Sequence, residues 1–206
     1  MNIEKIIKEA IENTMFDNKI KESNSNSINS DNLIKESYVT EAGKFNLSTE
    51  LLSDKTKKSH QELLEGYVKK LNEISANLDT ADTSLANLNN SEFRSLKIDE
   101  TYNLNAAFLH GLYFQNISDL SSQISTDNIC YMKLARDFGS FDKWQQDFVA
   151  CALSARNGWA ITLYSTQLKR YINTIIDLHS QNVMIGMQPV IVLDCWEHSY
   201  YRDYFK

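Results

Sequence analysis

The amino-acid sequence predicts an α+β fold: a long antiparallel helical hairpin followed by an α/β half with a small antiparallel sheet. Three observations carry this. Two long segments, 49–78 and 99–124, repeat apolar residues at steps of three and four, the period of a helix with one buried face. Three short runs beyond residue 157 are β-branched and aromatic and are bounded by polar turns. The helical segments precede the strands, so the two kinds of element form separate layers.

The first 46 residues read as an extension. Ile3 to Ile20 carries apolar residues at 3, 6, 7, 10 and 11 among Lys and Glu, the pattern of a short amphipathic helix. Ser23 to Asn32 is almost entirely Ser and Asn, too poor in apolar area to offset the entropy of ordering, and reads as a linker. A hairpin domain over 47–126 follows. Its first helix runs from about Thr49 to Leu78 with Leu52, Thr56, His60, Leu63, Tyr67, Leu71 and Ile74 on one face. The polar stretch Leu78 to Asn90 reads as the connection. Its second helix, about Asp99 to Ile124, aligns His110, Tyr113, Ile117, Leu120 and Ile124.

The remainder, 127–206, forms the α/β half. Ser140 is placed to cap a helix with Asp142 in its first turn, running through Trp144 and Phe148 to about Ala155. Strands are expected at Gly158 to Tyr164, Tyr171 to Leu178 and Val190 to Leu193, the last behind the only proline, Pro189. A terminal helix is expected to start at Asp194.

Composition narrows the function. Twenty-one basic against twenty-seven acidic residues give a net charge of -6, which argues against a partner bound through its phosphates. No apolar run approaches the roughly 20 residues that cross a bilayer. Met1 to Lys8 alternates charge with isoleucine, unlike a secretory signal, so a cytoplasmic location is expected. Three unevenly spaced cysteines, Cys130, Cys151 and Cys195, suit neither a disulfide framework nor a thiolate zinc site.

The four histidines carry the chemistry. Asp194 and His198 lie four apart, so a helix starting at Asp194 sets both on one face. Alone, such a pair is more often a surface ion pair across one helical turn. His60 and His110, however, sit on the apolar faces of two different helices, where an imidazole without a partner is costly. Four donors from three elements are economically explained by one shared ion, and an imidazole and carboxylate set suits iron, manganese or zinc.

These residues are similar to motifs of the iron/manganese superoxide dismutase family over about Leu47 to Tyr204. The run Asp194-Cys-Trp-Glu-His-Ser-Tyr-Tyr201 resembles the family's D-x-W-E-H-x-Y-Y signature, Asn105 to Phe114 the ligand segment of its second helix, and His60 to Ile74 that of its first. Phe138 to Trp144 and Asn157 to Ala160 match further segments. The resemblance implies a superoxide dismutase with one iron or manganese ion per subunit on His60, His110, Asp194 and His198. It makes Tyr67 the gateway tyrosine and His179 the hydrogen-bonding partner of metal-bound solvent, with Trp159 and Trp196 as walls of the site. It also implies a homodimer joined through Glu197 and Tyr201, superoxide as substrate, and an inert, buried Cys195 on the far side of the chain from Asp194. Lys57, Lys58, Lys69 and Lys70 are candidates for a steering field.

The sequence departs from the family in three places. The Leu-Pro-rich entry strand is replaced by the polar extension, Leu63 and Leu64 stand where a polar funnel residue is usual, and Lys206 ends the chain short of the usual last helix. These departures motivate an alternative, a dismutase-like structural protein associated with a virion or coat and having low activity. A zinc hydrolase on the same ligands is disfavoured because no general base stands beside them.

Overall fold

The computed structural model describes residues 42–43, 45–117 and 125–204. The amphipathic segment at 3–20, the Ser/Asn linker and the expected end of the second helix at 118–124 lie outside the described residues. The first helix, α1 (Asp54–Thr80), starts where Ser53 Oγ accepts from Thr56 N–H at 3.3 Å, with Asp54 complementing the positive end of the helix dipole. Its buried line is Thr56, His60, Leu64, Val68, Leu71 and Ile74. Leu64 is buried and Leu63 and Tyr67 are half-buried, so the stripe lies slightly round the helix from the face expected. A single 3₁₀ turn, Thr83–Leu85, interrupts the connection.

The second helix, α2 (Glu92–Ile117), starts seven residues earlier than its apolar stripe suggested. Ser91 Oγ accepts from Arg94 N–H at 3.2 Å, a cap that a reading based on apolar periodicity overlooks. His60 meets His110 and Tyr67 meets Tyr102, so positions ascend along one helix as they descend along the other and the pair is antiparallel.

Helix α3 (Ile129–Phe138) has no counterpart in the sequence expectations. It is capped by Asn128 and ends at Gly139, whose φ of 88° suits a residue without Cβ. Helix α4 (Phe141–Ser154) follows from the expected cap, Ser140 Oγ accepting from Lys143 N–H at 3.1 Å.

The sheet contains β1 (Gly158–Ser165), β2 (Arg170–Asp177) and β3 (Met187–Asp194), all antiparallel in the order β2-β1-β3. As the central strand, β1 has both faces covered, which explains its unbroken apolar run. Trp159, Ile161 and Leu163 face the helical hairpin, while Ala160 packs with Leu134, Trp144 and Phe148 from α3 and α4. Gly158 has no alternative, because a Cβ there would lie 2.3 Å from the Ile176 carbonyl oxygen. The β1–β3 register shifts between Thr162 and Leu163, opposite Pro189, which has no N–H to offer the ladder.

Strand β3 ends at Asp194 and the one-turn helix α5 (Glu197–Tyr200) begins three residues later. Asp194 is therefore the end of a strand, and the expected helical start at this residue is corrected. The corner is held by the aspartate itself: Oδ1 accepts from Trp196 N–H at 2.8 Å and its carbonyl from Ser199 Oγ at 3.0 Å. The last turn is stitched to the start of α1 by Ser53 N–H donating to Asp203 at 2.9 Å and Tyr204 Oη donating to the Leu51 carbonyl at 2.7 Å. Among the described residues no helix is long and apolar enough to cross a membrane.

Candidate metal centre

Strand β3 pairs Asp194 directly with Trp159 of β1, which brings the carboxylate to the junction of the sheet and the hairpin. There, one oxygen serves as the hub. Asp194 Oδ2 is 3.0 Å from His60 Nε2, 3.1 Å from His198 Nε2 and 3.7 Å from His110 Nε2. One donor atom from each residue lies within 4.8 Å of every other, close to the roughly 4 Å that two metal–ligand bonds of about 2 Å would span. All four residues singled out as ligands thus converge from α1, α2, the end of β3 and α5. His60, His110 and Asp194 are buried, and His198 keeps 30% of its side chain exposed.

The protonation of this cluster can be worked out from its partners. His110 Nδ1 lies 2.7 Å from the Ala106 carbonyl oxygen, which can only accept, so Nδ1 carries the hydrogen. Burial outweighs the attraction of Asp194 and pushes the His110 pKa down to about 3, so the ring is neutral and Nε2 is a bare lone pair. That atom is buried without a hydrogen-bond partner. It faces the Asp194 carboxylate, another acceptor. Burial alone would raise the Asp194 pKa, but the hydrogen bonds of the adjoining His198 and His60 and their electrostatic attraction hold it well below the usual carboxylate range. A lone pair and an anion turned on each other in a dry pocket call for an electron-pair acceptor between them, and the donors present suit a borderline cation.

Around the ligands runs a second layer of polar contacts. Trp159 Nε1–H, which can only donate, reaches His179 Nδ1 at 2.8 Å. His179 is fully buried and its pKa is pushed down to about 4 by desolvation, so its single hydrogen is on Nε2, which donates to Tyr67 Oη at 3.1 Å. Burial first, then the nearby Tyr102 and the charge of Asp194, pushes the Tyr67 phenol well above its ordinary range. The ring of Tyr67 lies 5.2 Å from that of His110.

Both nitrogens of His179 thus have partners among the side chains, Nδ1 with Trp159 and Nε2 with Tyr67. Trp159 does more than line the site, because its indole fixes the tautomer of His179. Trp196 stacks on both His179 and His198, at 5.1 and 5.7 Å between centroids. Backbone geometry adds to the constraint: Leu178 and His179 are both left-handed, with φ of 57° and 77°, and Asn105 Nδ2 donates to the His179 carbonyl at 2.9 Å.

Two other expectations change. Cys195 is half-buried and lines an apolar cleft with Tyr113, Leu153 and Tyr200. Its thiol is pushed up to about 11 by burial, so it stays protonated and inert. Lys57, Lys58 and Lys70 are ion-paired one turn away with Asp54, Glu62 and Glu73, which offsets the charge of three of the four lysines considered for steering. The sequence reading missed Asn105 and Tyr102, whose roles depend on the fold of the 178–179 corner and show no periodic signal.

Comparison with known proteins agrees with this geometry. A family model for the C-terminal domain of iron/manganese superoxide dismutases matches residues 127–206. The superoxide dismutase [Fe] of Cupriavidus metallidurans is 36% identical over 156 residues, 74% of this chain and 76% of that protein. The superoxide dismutase [Mn] of Haloarcula hispanica is 34% identical over 131 residues, 62% of this chain and 90% of the relative. Superoxide dismutase [Mn] 2 of Haloferax volcanii is 36% identical over 104 residues, and the chain spans about half the length of that relative, 51%.

Proposed function

Because the chain belongs to the iron/manganese superoxide dismutase family, we propose that it disproportionates superoxide to oxygen and hydrogen peroxide, with one iron or manganese ion per subunit held by His60, His110, Asp194 and His198. The observation that carries this reading is the bare, buried Nε2 of His110 opposite the Asp194 carboxylate. Such an ion, when bound, supplies a one-electron couple that takes an electron from one superoxide and gives it to another.

The protein's own part is to hold, orient and keep dry. His60, His110 and His198 would hold the ion as neutral donors and Asp194 as the single anionic one, so a divalent or trivalent ion bound there would keep net positive charge to attract an anion. His179 holds Tyr67 by hydrogen bond, and the Tyr67 hydroxyl gates the approach and hands on protons. Trp159 and Trp196 exclude water, which strengthens each electrostatic contact inside.

In this reading the chain divides into an extension over 1–46, the ligand hairpin over 47–126 and the α/β half over 127–206. His198 is the ligand left partly exposed, and a second copy covers it: Glu197 of each subunit reaches the other's ligand shell beside Tyr201, making a homodimer. Three free thiols suit a reducing, cytoplasmic setting.

The test is elemental analysis and a dismutation assay on the same metal-loaded sample. One ion per chain with turnover that disappears on chelation is expected. Full occupancy without turnover would favour the structural alternative, and no stoichiometric metal would overturn the reading.

A further inference from the structure

Strand β2 leaves the sheet through a corner that its own residues disfavour. Leu178 and His179 follow one another with φ of 57° and 77°, the left-handed region in which a Cβ crowds the following carbonyl oxygen, and neither is glycine. Leu178 keeps 40% of its surface exposed, so burial of its side chain does little to offset the strain. Such a conformation persists where contacts on both sides over-determine it. The peptide entering the corner is pinned by Leu178 N–H, which donates to the Asn157 carbonyl at 3.1 Å, just ahead of β1. The peptide leaving it is pinned by Asn105 of α2, whose Nδ2 donates to the His179 carbonyl at 2.9 Å. One turn back along α2, the Tyr102 ring lies edge-on to the His179 ring at 4.7 Å between centroids. Helix α2 therefore grips His179 at its backbone and at its ring, and the same helix carries His110, whose ring is 5.8 Å from that of His179.

We propose that Asn105 is a positioning residue for the gateway tyrosine, acting through His179. Its amide holds the peptide after His179 while Asn157 holds the one before Leu178, so two residues are fixed between two pinned peptide planes and the direction of the His179 Cα–Cβ bond is set by the fold. That direction aims Nδ1 at Trp159 Nε1 and Nε2 at Tyr67 Oη, 2.8 and 3.1 Å away. Without the amide the peptide after His179 can rotate, the corner relaxes towards the negative φ usual for a residue with Cβ, and the ring swings away from Tyr67. The ligands keep their places: His110 is held by the Ala106 carbonyl of its own helix, and His60, Asp194 and His198 come from other elements. Tyr67 then loses the N–H that orients its hydroxyl. The effect on turnover rests on the dismutase reading, in which that hydroxyl hands on protons; the effect on His179 does not.

The experiment uses the full chain with Asn105→Leu, which keeps the volume and removes the donor, and Asn105→Asp, which keeps the outline and replaces the N–H by an oxygen. In the zinc-loaded, diamagnetic protein with ¹⁵N-labelled histidine, the His179 Nε2–H resonance is identified by its loss in His179→Gln. In both variants it is expected to shift and to exchange with water at least about tenfold faster, while the His60, His110 and His198 resonances stay in place and one ion per chain is retained. In the iron- or manganese-loaded variants kcat should fall about fivefold. A His179 resonance that keeps its shift and exchange rate in both variants, a change spread over all four histidines, or an unchanged kcat overturns the proposal. An inactive parent chain overturns the dismutase reading instead, and the resonance still decides whether Asn105 holds the corner.

Discussion

Replacing His110 by leucine separates what this site costs the fold from what it does. In the metal-free chain the imidazole buries an acceptor with no partner, a penalty of about 1–3 kcal/mol. Against this stands the Nδ1–H bond to the Ala106 carbonyl at 2.7 Å, worth about 0.5–1.5 kcal/mol. That carbonyl lies four residues back in α2, where the helix ladder also uses it, so it is not orphaned by the substitution. Leucine is of similar size and would sit among the rings of Tyr67, Phe114 and Trp159. The balance predicts that metal-free His110→Leu is as stable as the parent or more stable by up to about 2 kcal/mol, a rise in Tm of a few degrees at roughly 2–4 °C per kcal/mol. At the same time metal affinity falls at least about 100-fold, because a ligand has gone. Thermal unfolding after exhaustive chelation and elemental analysis after reloading measure the two quantities. A metal-free variant destabilised by more than about 2 kcal/mol, or one that still loads one ion per chain, would refute the reasoning.

Three further outcomes are expected. His110 and His179 are held neutral with pKa values of about 3 and about 4, below the roughly 6.5 of an unfolded histidine, so between those values the unfolded chain binds more protons. Metal-free stability therefore falls as pH drops from 6.5 towards 4, by up to about 1.4 kcal/mol per pH unit for each histidine, while the depressed pKa of Asp194 acts only at more acid pH. Urea midpoints across that range measure it, and a flat profile contradicts it. Trp159→Phe leaves His179 Nδ1 unpaired in a buried site and shrinks the core, which should cost about 2–4 kcal/mol by urea denaturation. A loss below about 0.5 kcal/mol would show that the indole hydrogen bond does not hold the ring. Glu197→Ala should shift the protein towards monomer in sedimentation velocity with its metal retained, and an unchanged dimer would remove Glu197 from the interface.

Much of the site was legible because its donors are rare. With only four histidines in the chain, a His on each helical stripe and an Asp and His four apart had few alternatives. The strands and the Ser140 cap were equally plain, since β-branched runs and a capping hydroxyl are local signals. What escaped depends on distant contacts. Helix α3 is amphipathic but only ten residues long, too short for its periodicity to stand out, and Leu134, its one fully buried residue, packs with Trp144 and Phe148 of α4. The start of α2 lies in a polar stretch where the Ser91 cap decides and periodicity is silent. Asp194 looked like a helix start because it is followed by helix-compatible residues, yet its pairing with Trp159 keeps it in the sheet. The commitment of His179 to Trp159 and Tyr67 depends on two left-handed residues without glycine, a conformation no propensity would assign to Leu178.

The central claim is that four side chains from separate elements share one ion. Anomalous diffraction from crystals of the metal-loaded protein, collected above the iron and the manganese absorption edges, tests it most directly. A single strong peak per subunit, within bonding distance of His60 Nε2, His110 Nε2, Asp194 Oδ2 and His198 Nε2, is the predicted result. Loaded crystals with no peak among those atoms, or with their only peak elsewhere on the chain, would contradict the account.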